Sequence, residues 1–165
     1  MFESLESRVL MSVTVDDGVL KITGTRNNDT YTITQSGTTL TINSSVDGRR
    51  RFRGIDKIVI RGRDGNDLVR ASRSRTRMEI YGGSGADELI GGLLTDKIYG
   101  GPGGDEINGL GGNDRIEGGK GSDDLIGGSG EDKVLGGTGR DFLDRDDEDT
   151  LKGGPGKDSI VNLSD

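Results

Sequence analysis

Residues 82–143 read GGSGADELI, GGLLTDKIY, GGPGGDEIN, GLGGNDRIE, GGKGSDDLI, GGSGEDKVL and GGTGRDFL, a nine-residue period that runs nearly unbroken. Self-similarity at a short fixed period is the signature of a repeat architecture and outranks any single motif. A shortened junction follows, then DRDDEDTLK and GGPGKDSIV over 144–161. Upstream, GRDGNDLVR (62–70) is another copy, and 73–81 is a degenerate one ending in Ile80 and Tyr81. Aspartate fills the sixth position at Asp67, Asp87, Asp96, Asp105, Asp114, Asp123, Asp132, Asp141, Asp149 and Asp158. An aliphatic residue fills the eighth at Val69, Leu89, Ile98, Ile107, Ile116, Leu125, Val134, Leu143, Leu151 and Ile160.

Over about residues 62–161 this pattern resembles the nonapeptide of repeats-in-toxin (RTX) proteins, GGxGxDxUx with U aliphatic. The resemblance implies an all-β fold, a right-handed parallel β-roll with two nonapeptides per coil. In such a roll six residues of each repeat form a calcium-binding turn and three form a short strand. The ten aspartates above become the carboxylate ligands. Backbone carbonyls of turn glycines such as Gly83, Gly85, Gly101, Gly103, Gly119, Gly121, Gly128 and Gly130 add to them.

Elementary energetics lead to the same ion. One inward aliphatic side chain per repeat is worth ~1.5–3 kcal/mol when buried, whereas ordering each backbone residue costs roughly 1–2 kcal/mol. Hydrophobic burial alone therefore cannot carry the repeat, and the stacked carboxylates repel one another besides. A divalent cation reverses that electrostatic sign. Parallel coils stack about 4.8 Å apart and calcium–oxygen bonds are about 2.3–2.6 Å, so an ion between successive aspartates reaches both. Calcium suits an oxygen-only donor set, while zinc or copper would want His or Cys, and the chain has neither.

Two repeats per coil place equivalent aspartates eighteen residues apart, in two columns. The first holds Asp87, Asp105, Asp123 and Asp141, extended by Asp67 and Asp158; the second holds Asp96, Asp114, Asp132 and Asp149. About eight candidate calcium positions lie between the paired aspartates. The seventh position supports the pairing: Glu88, Glu106 and Asp124 alternate with Lys97, Arg115 and Lys133, so the true period is eighteen. Such an acidic ladder could dock on the basic ladder of another copy, which makes self-association a partner expectation.

Some repeats depart from the pattern. Leu94 stands where a fourth-position glycine is expected, which predicts a distorted turn. Asp146, Asp147 and Glu148 replace the glycines of the 144–152 repeat and weaken its site. Residues 73–77 carry no aspartate, so the second column is expected to begin at Asp96.

Composition narrows the function. Without His or Cys there is no disulfide, no Cys/His zinc site and no His-based triad. No stretch is long and apolar enough to span a membrane. The net charge of −7 hides a division: residues 1–77 carry 14 basic and 9 acidic side chains, whereas residues 78–165 carry 8 and 20. RTX arrays accompany enzymes whose activities reside in separate domains, and this chain has no room for one, so no catalytic role is expected. A non-catalytic fragment of a larger RTX enzyme or toxin is an alternative.

The region 12–61 reads as a β-rich cap or decayed first coils, with strands at 13–15, 19–23, 30–35, 38–43 and 57–61 and a hairpin turn at 35–38. Residues 24–31, GTRNNDTY, look like a decayed nonapeptide with Asp29 at the sixth position. The roll proper is expected over 62–161 and a short tail over 162–165. The opening Leu5-Glu6-Ser7-Arg8-Val9-Leu10 resembles the LEPR-like motif at the start of certain large bacterial exported or surface proteins, making 1–11 a sorting-like segment. Between Arg49 and Arg77 lie ten arginines and Lys57 against three aspartates. Arg73, Arg75 and Arg77 would share one face of a strand. This belt either offsets the acidic roll or binds an acidic polysaccharide or lipid headgroups; nucleic acid is not expected, because stacking aromatics are scarce. The expected function is calcium binding with coupled folding, giving a secreted or cell-surface structural or adhesive module of a bacterium.

Overall fold

The computed structural model describes residues 11–144 and 149–162, and among these the regular structure is entirely β. The strands are β1 (Ser12–Asp16), β2 (Val19–Thr23), β3 (Thr30–Ser36), β4 (Thr39–Ser44), β5 (Gly48–Arg53) and β6 (Lys57–Asp64). There follow β7 (Leu68–Arg70), β8 (Arg77–Ser84), β9 (Glu88–Ile90), β10 (Lys97–Pro102), β11 (Glu106–Gly111) and β12 (Arg115–Lys120). The last are β13 (Asp124–Ser129), β14 (Lys133–Thr138), β15 (Phe142–Asp144), β16 (Thr150–Lys152) and β17 (Ser159–Val161). The sorting-like motif at residues 5–10 and the acidic run Asp146, Asp147, Glu148 lie outside the described residues, as does most of the expected tail.

The strands form two sheets, one ordered β1-β2-β6-β8-β10-β12-β14-β16 and the other β17-β15-β13-β11-β9-β7-β3-β4-β5. Successive strands alternate between the sheets from β6 onward, so each coil gives one strand to each and the fold is a parallel β-solenoid. Lys97 registers with Arg115 and Arg115 with Lys133, while Glu106 registers with Asp124. Both steps are the eighteen residues that the charge alternation required.

Side chains alternate in and out along each strand. Ile98, Ile116 and Val134 of one sheet face Leu89, Ile107, Leu125 and Leu143 of the other, all fully buried. The core is not uniform. At its N-terminal end several strands contribute two inward residues each: Leu20 and Ile22 on β2, Tyr31 and Ile33 on β3, Ile58 and Ile60 on β6. From β9 onward only the eighth position of each repeat points in, because glycine and aspartate occupy the neighbouring inward places. At the far end Ile160 is half exposed. Hydrophobic stabilisation therefore declines along the roll.

The N-terminal third is both a first coil and a cap. Strand β2 runs parallel to β6, and β3 parallel to β7. Beyond them β1 and the β3-β4-β5 meander pair antiparallel and close the end of both sheets. The expected hairpin turn joins β3 to β4, with Gly37 at φ 57°. Strand β5 was not expected, because GRRRFR has no apolar alternation. It holds through its backbone pairing to β4 and through Phe52, which packs against the core. The strand expected to carry Arg73, Arg75 and Arg77 is corrected: only Arg77 lies on a strand, and 72–76 form a turn. The three arginines are still exposed while Ser74, Thr76 and Met78 are buried. The turn holds this alternation because Gln35 Oε1 accepts the Arg75 backbone N–H (2.6 Å).

Candidate metal centre

Each sixth-position aspartate sits immediately before a strand, and hydrogen bonds link these residues into two ladders. In the first, the backbone N–H of Asp67 donates to Oδ1 of Asp87 (2.7 Å) and that of Asp87 to Asp105 (2.9 Å). The series continues from Asp105 to Asp123 (2.9 Å), from Asp123 to Asp141 (3.1 Å) and from Asp141 to Asp158 (3.1 Å). In the second, Asp96 donates to Asp114 (2.7 Å), Asp114 to Asp132 (2.7 Å) and Asp132 to Asp149 (3.0 Å). These are the two columns that the repeat spacing assigned. The one-residue deletion at the junction shortens the last step of each to seventeen residues without breaking either ladder.

Each carboxylate thus spends one oxygen on the preceding coil. The other oxygen, Oδ2, is buried without a hydrogen-bond donor in Asp67, Asp87, Asp105, Asp114, Asp123 and Asp141. It points over the first glycine of its own repeat. A Cβ on Gly82, Gly100, Gly118 or Gly136 would collide with Oδ2 of Asp87, Asp105, Asp123 or Asp141 and with the carbonyl oxygen of the first-position glycine one coil on. The first-position glycines are thus the floor of the site, a role the sequence signalled by their recurrence but which the repeat reading did not single out.

Carbonyls complete the surroundings. Gly83, Gly85, Gly101, Gly103, Gly119 and Gly121 all adopt positive φ, between 121° and 156°, and Gly128 (100°) and Gly130 (128°) are positive too. The carbonyl oxygens of Gly83, Gly101 and Gly119 point along the stack at the equivalent glycine of the next coil, as do those of Gly85, Gly103 and Gly121. The second position keeps this conformation even without glycine, as at Arg63 (φ 94°) and Leu110 (φ 73°). The turn containing Leu94 differs as expected. Gly92 there lacks positive φ, and its N–H donates to Asp96 Oδ2 (2.7 Å).

The heads of both columns are therefore satisfied by protein alone. Asp96 accepts Gly92 on Oδ2 and the Met78 N–H on Oδ1 (2.7 Å). Asp29, in the decayed repeat, heads the first column: its N–H donates to Asp67 Oδ1 (2.7 Å), and its own Oδ2 accepts the Thr25 N–H (2.6 Å). The Tyr31 hydroxyl also donates to Asp29 Oδ2 (3.3 Å). Burial, with Asp29 and Asp67 nearby, pushes that hydroxyl pKa up.

Burial also dominates the electrostatics of the columns. It pushes Asp67, Asp96 and Asp105 up to about 6 and Asp114 up to about 8, against the opposing effect of the backbone N–H donors. Asp87, Asp123 and Asp141 are raised for the same reason. A charge held in such a place calls for a counter-charge. Among the described residues no three His, Cys, Asp or Glu side chains gather into one cluster, so a cation here would need backbone carbonyls beside the carboxylates. An orphaned buried oxygen over a glycine floor, with carbonyls turned along the stack, fits a hard, oxygen-seeking divalent ion. Such an ion would supply charge neutralisation and a tie between coils.

The basic belt does not form one surface. Arg49, Arg51 and Arg53 register with Asn43, Thr41 and Thr39 on the outer side of β5. Arg50 pairs with Asp47 (3.0 Å), Arg70 with Glu88 (2.6 Å), and Arg61 lies over the Tyr81 ring (5.1 Å). Lys57 pairs with Glu79. Among the described residues no helix is long and apolar enough to cross a membrane.

Comparison with known proteins agrees with the geometry. Residues 79–98, 91–125, 108–143 and 145–161 match the family model of the RTX calcium-binding nonapeptide repeat, in four copies. No curated protein and no solved structure matches the chain.

Proposed function

We propose that this chain, which carries RTX calcium-binding nonapeptide repeats, folds its roll by taking up calcium between coils and serves outside the cell as a structural or adhesive module. The observation that carries the reading is the series of buried carboxylate oxygens without hydrogen-bond donors along the first aspartate column, with Asp114 in the second. Asp67, Asp87, Asp105, Asp123, Asp141 and Asp158 would hold ions along one edge, and Asp114, Asp132 and Asp149 along the other. The turn carbonyls of glycines such as Gly101 and Gly119 complete the ligand sets. Asp96 is the weakest member, because the Gly92 N–H already occupies its Oδ2. The role is mechanical rather than catalytic: each carboxylate is committed to a neighbouring coil, and the ion replaces a repulsion with a tie.

Extracellular calcium modules typically bind at about 10⁻⁴–10⁻³ M. A roll tuned to that range stays loose where calcium is scarce and folds where it is abundant, which suits a protein that must leave the cell. Circular dichroism during calcium titration, with calorimetry for stoichiometry, tests this. Strand signal should rise cooperatively with calcium and collapse on chelation. A strand signal already complete in excess chelator would refute the coupling, and magnesium acting equally well would refute the choice of ion.

A further inference from the structure

The two outer faces of the roll are complementary to each other. On one sheet, Lys97, Arg115 and Lys133 stack in register on the outer side of β10, β12 and β14. On the other, Glu88, Glu106 and Asp124 stack in register on β9, β11 and β13. Both ladders are built on the same coil, so they share one spacing of about 4.8 Å per step. Like charges stacked this way repel mildly. Within the chain Arg115 is offset by Glu117 (3.3 Å) and Glu88 by Arg70 (2.6 Å). Lys97, Lys133, Glu106 and Asp124 are exposed and lie in none of the ion pairs among the described residues.

Beside each charged ladder runs a half-buried column with an apolar–polar–apolar order. It is Tyr99, Glu117 and Leu135 on the basic face. It is Ile90, Asn108 and Ile126 on the acidic face. Tyr81 extends the first by stacking on Tyr99, with ring centroids 5.0 Å apart. Within the three matched coils the order reads the same in either direction along the stack. The charges thus have opposite signs, the spacing is common, and each face has apolar side chains to bury next to its charges.

We infer that the partner of each face is the opposite face of a second copy of this chain, so that folded rolls stack face to face. Because the two surfaces differ and lie on the two opposite sheets of the roll, the contact is heterologous and leaves a free face on each end copy, so it extends into stacks rather than stopping at a dimer. This inference rests on the calcium-folded roll proposed above, since an unfolded chain presents neither ladder. Association is then electrostatically assisted and salt-sensitive.

Sedimentation velocity on the whole chain in calcium tests it, with circular dichroism on the same samples so that loss of folding and loss of association are read separately. The wild-type chain should associate with concentration at low ionic strength, and roughly tenfold or more weakly at ~0.5 M salt, where the screening length falls to a few ångströms. A triple variant Lys97→Glu/Arg115→Glu/Lys133→Glu, with two acidic faces, should fold with calcium and sediment as a monomer. So should Glu88→Lys/Glu106→Lys/Asp124→Lys, with two basic faces. Mixing the two should restore association, because the acidic face of the first and the basic face of the second are both native. A folded wild-type chain that stays monomeric at low salt overturns the inference, as do folded variants that associate as wild type does. A wild-type monomer that instead binds alginate through the basic face overturns it in favour of polyanion capture.

Discussion

The backbone N–H of Asp105 donates to Oδ1 of Asp123, eighteen residues on, at 2.9 Å, and the Oδ2 of Asp123 is buried with no donor. One carboxylate therefore has two separable tasks. Its first oxygen ties adjacent coils with a charge-assisted hydrogen bond, and its second is left with a charge that only a cation or a proton can answer.

Replacing Asp123 separates those tasks. Asp123→Asn keeps an acceptor for Asp105 and removes the charge, so it should raise the calcium concentration needed for folding while preserving or increasing strand signal in chelator. Asp123→Ala leaves the buried Asp105 N–H unmatched and should cost about 1–3 kcal/mol in either condition. Calcium titrations followed by circular dichroism distinguish the two; equal behaviour of Asn and Ala would show that the hydrogen bond contributes nothing.

Protons should substitute in part for calcium. Raised carboxylate pKa values mean that the folded chain holds its protons more tightly than the unfolded chain. The stability this confers is complete below the ordinary carboxylate range near ~4. It fades as pH rises through about 6 for Asp67, Asp96 and Asp105 and about 8 for Asp114. In chelator, strand signal should therefore increase as the pH is lowered from ~8 to ~5. With calcium present the same change should weaken ion binding, since protons compete for the ligands. A flat pH profile in chelator would contradict the burial of these charges.

The glycine floor predicts a sharp positional contrast. Gly118→Ala puts a Cβ against Asp123 Oδ2 and the Gly136 carbonyl, whereas a Cβ at Gly104 meets only the Ser122 carbonyl, at 3.1 Å. The first should destabilise the calcium-loaded roll by about 1–3 kcal/mol or more, as overpacking does, and the second by much less. Urea unfolding in saturating calcium measures both.

Leu110 offers a gain. It occupies the left-handed region at φ 73°, where the repeat pattern places glycine. A non-glycine residue held there costs of order 1–3 kcal/mol, part of which glycine returns as chain entropy. Leu110→Gly should stabilise the loaded roll by about 1 kcal/mol, read as a higher urea midpoint.

Much of this architecture was legible because the repeat encodes it twice, once in the glycine and aspartate period and once in the alternating charges at the seventh position. The columns, their order and the distorted turn at Leu94 all followed from counting. What counting could not reach depended on contacts between distant residues. Strand β5 exists because β4 offers it a backbone edge and Phe52, in register with Leu40, packs against the core, and nothing in GRRRFR announces that. The turn at 72–76 replaces a strand because Gln35, far away in sequence, captures its backbone. The capping of Asp29 and Asp96 by Thr25 and Gly92 was equally invisible, since it concerns which oxygen an N–H finds rather than which residues are present.

The register of the ladders sets the unit in which this protein can lengthen. Duplicating eighteen residues inserts one whole coil, and every acidic and basic row continues on its own side. Duplicating nine keeps the glycines, aspartates and aliphatic residues in phase but sends all later strands to the opposite sheet. From that point Lys133 would continue the row of Glu106 rather than that of Arg115. The fold would tolerate such a change and its two sides would not, so the surface, more than the core, restricts growth to even numbers of repeats.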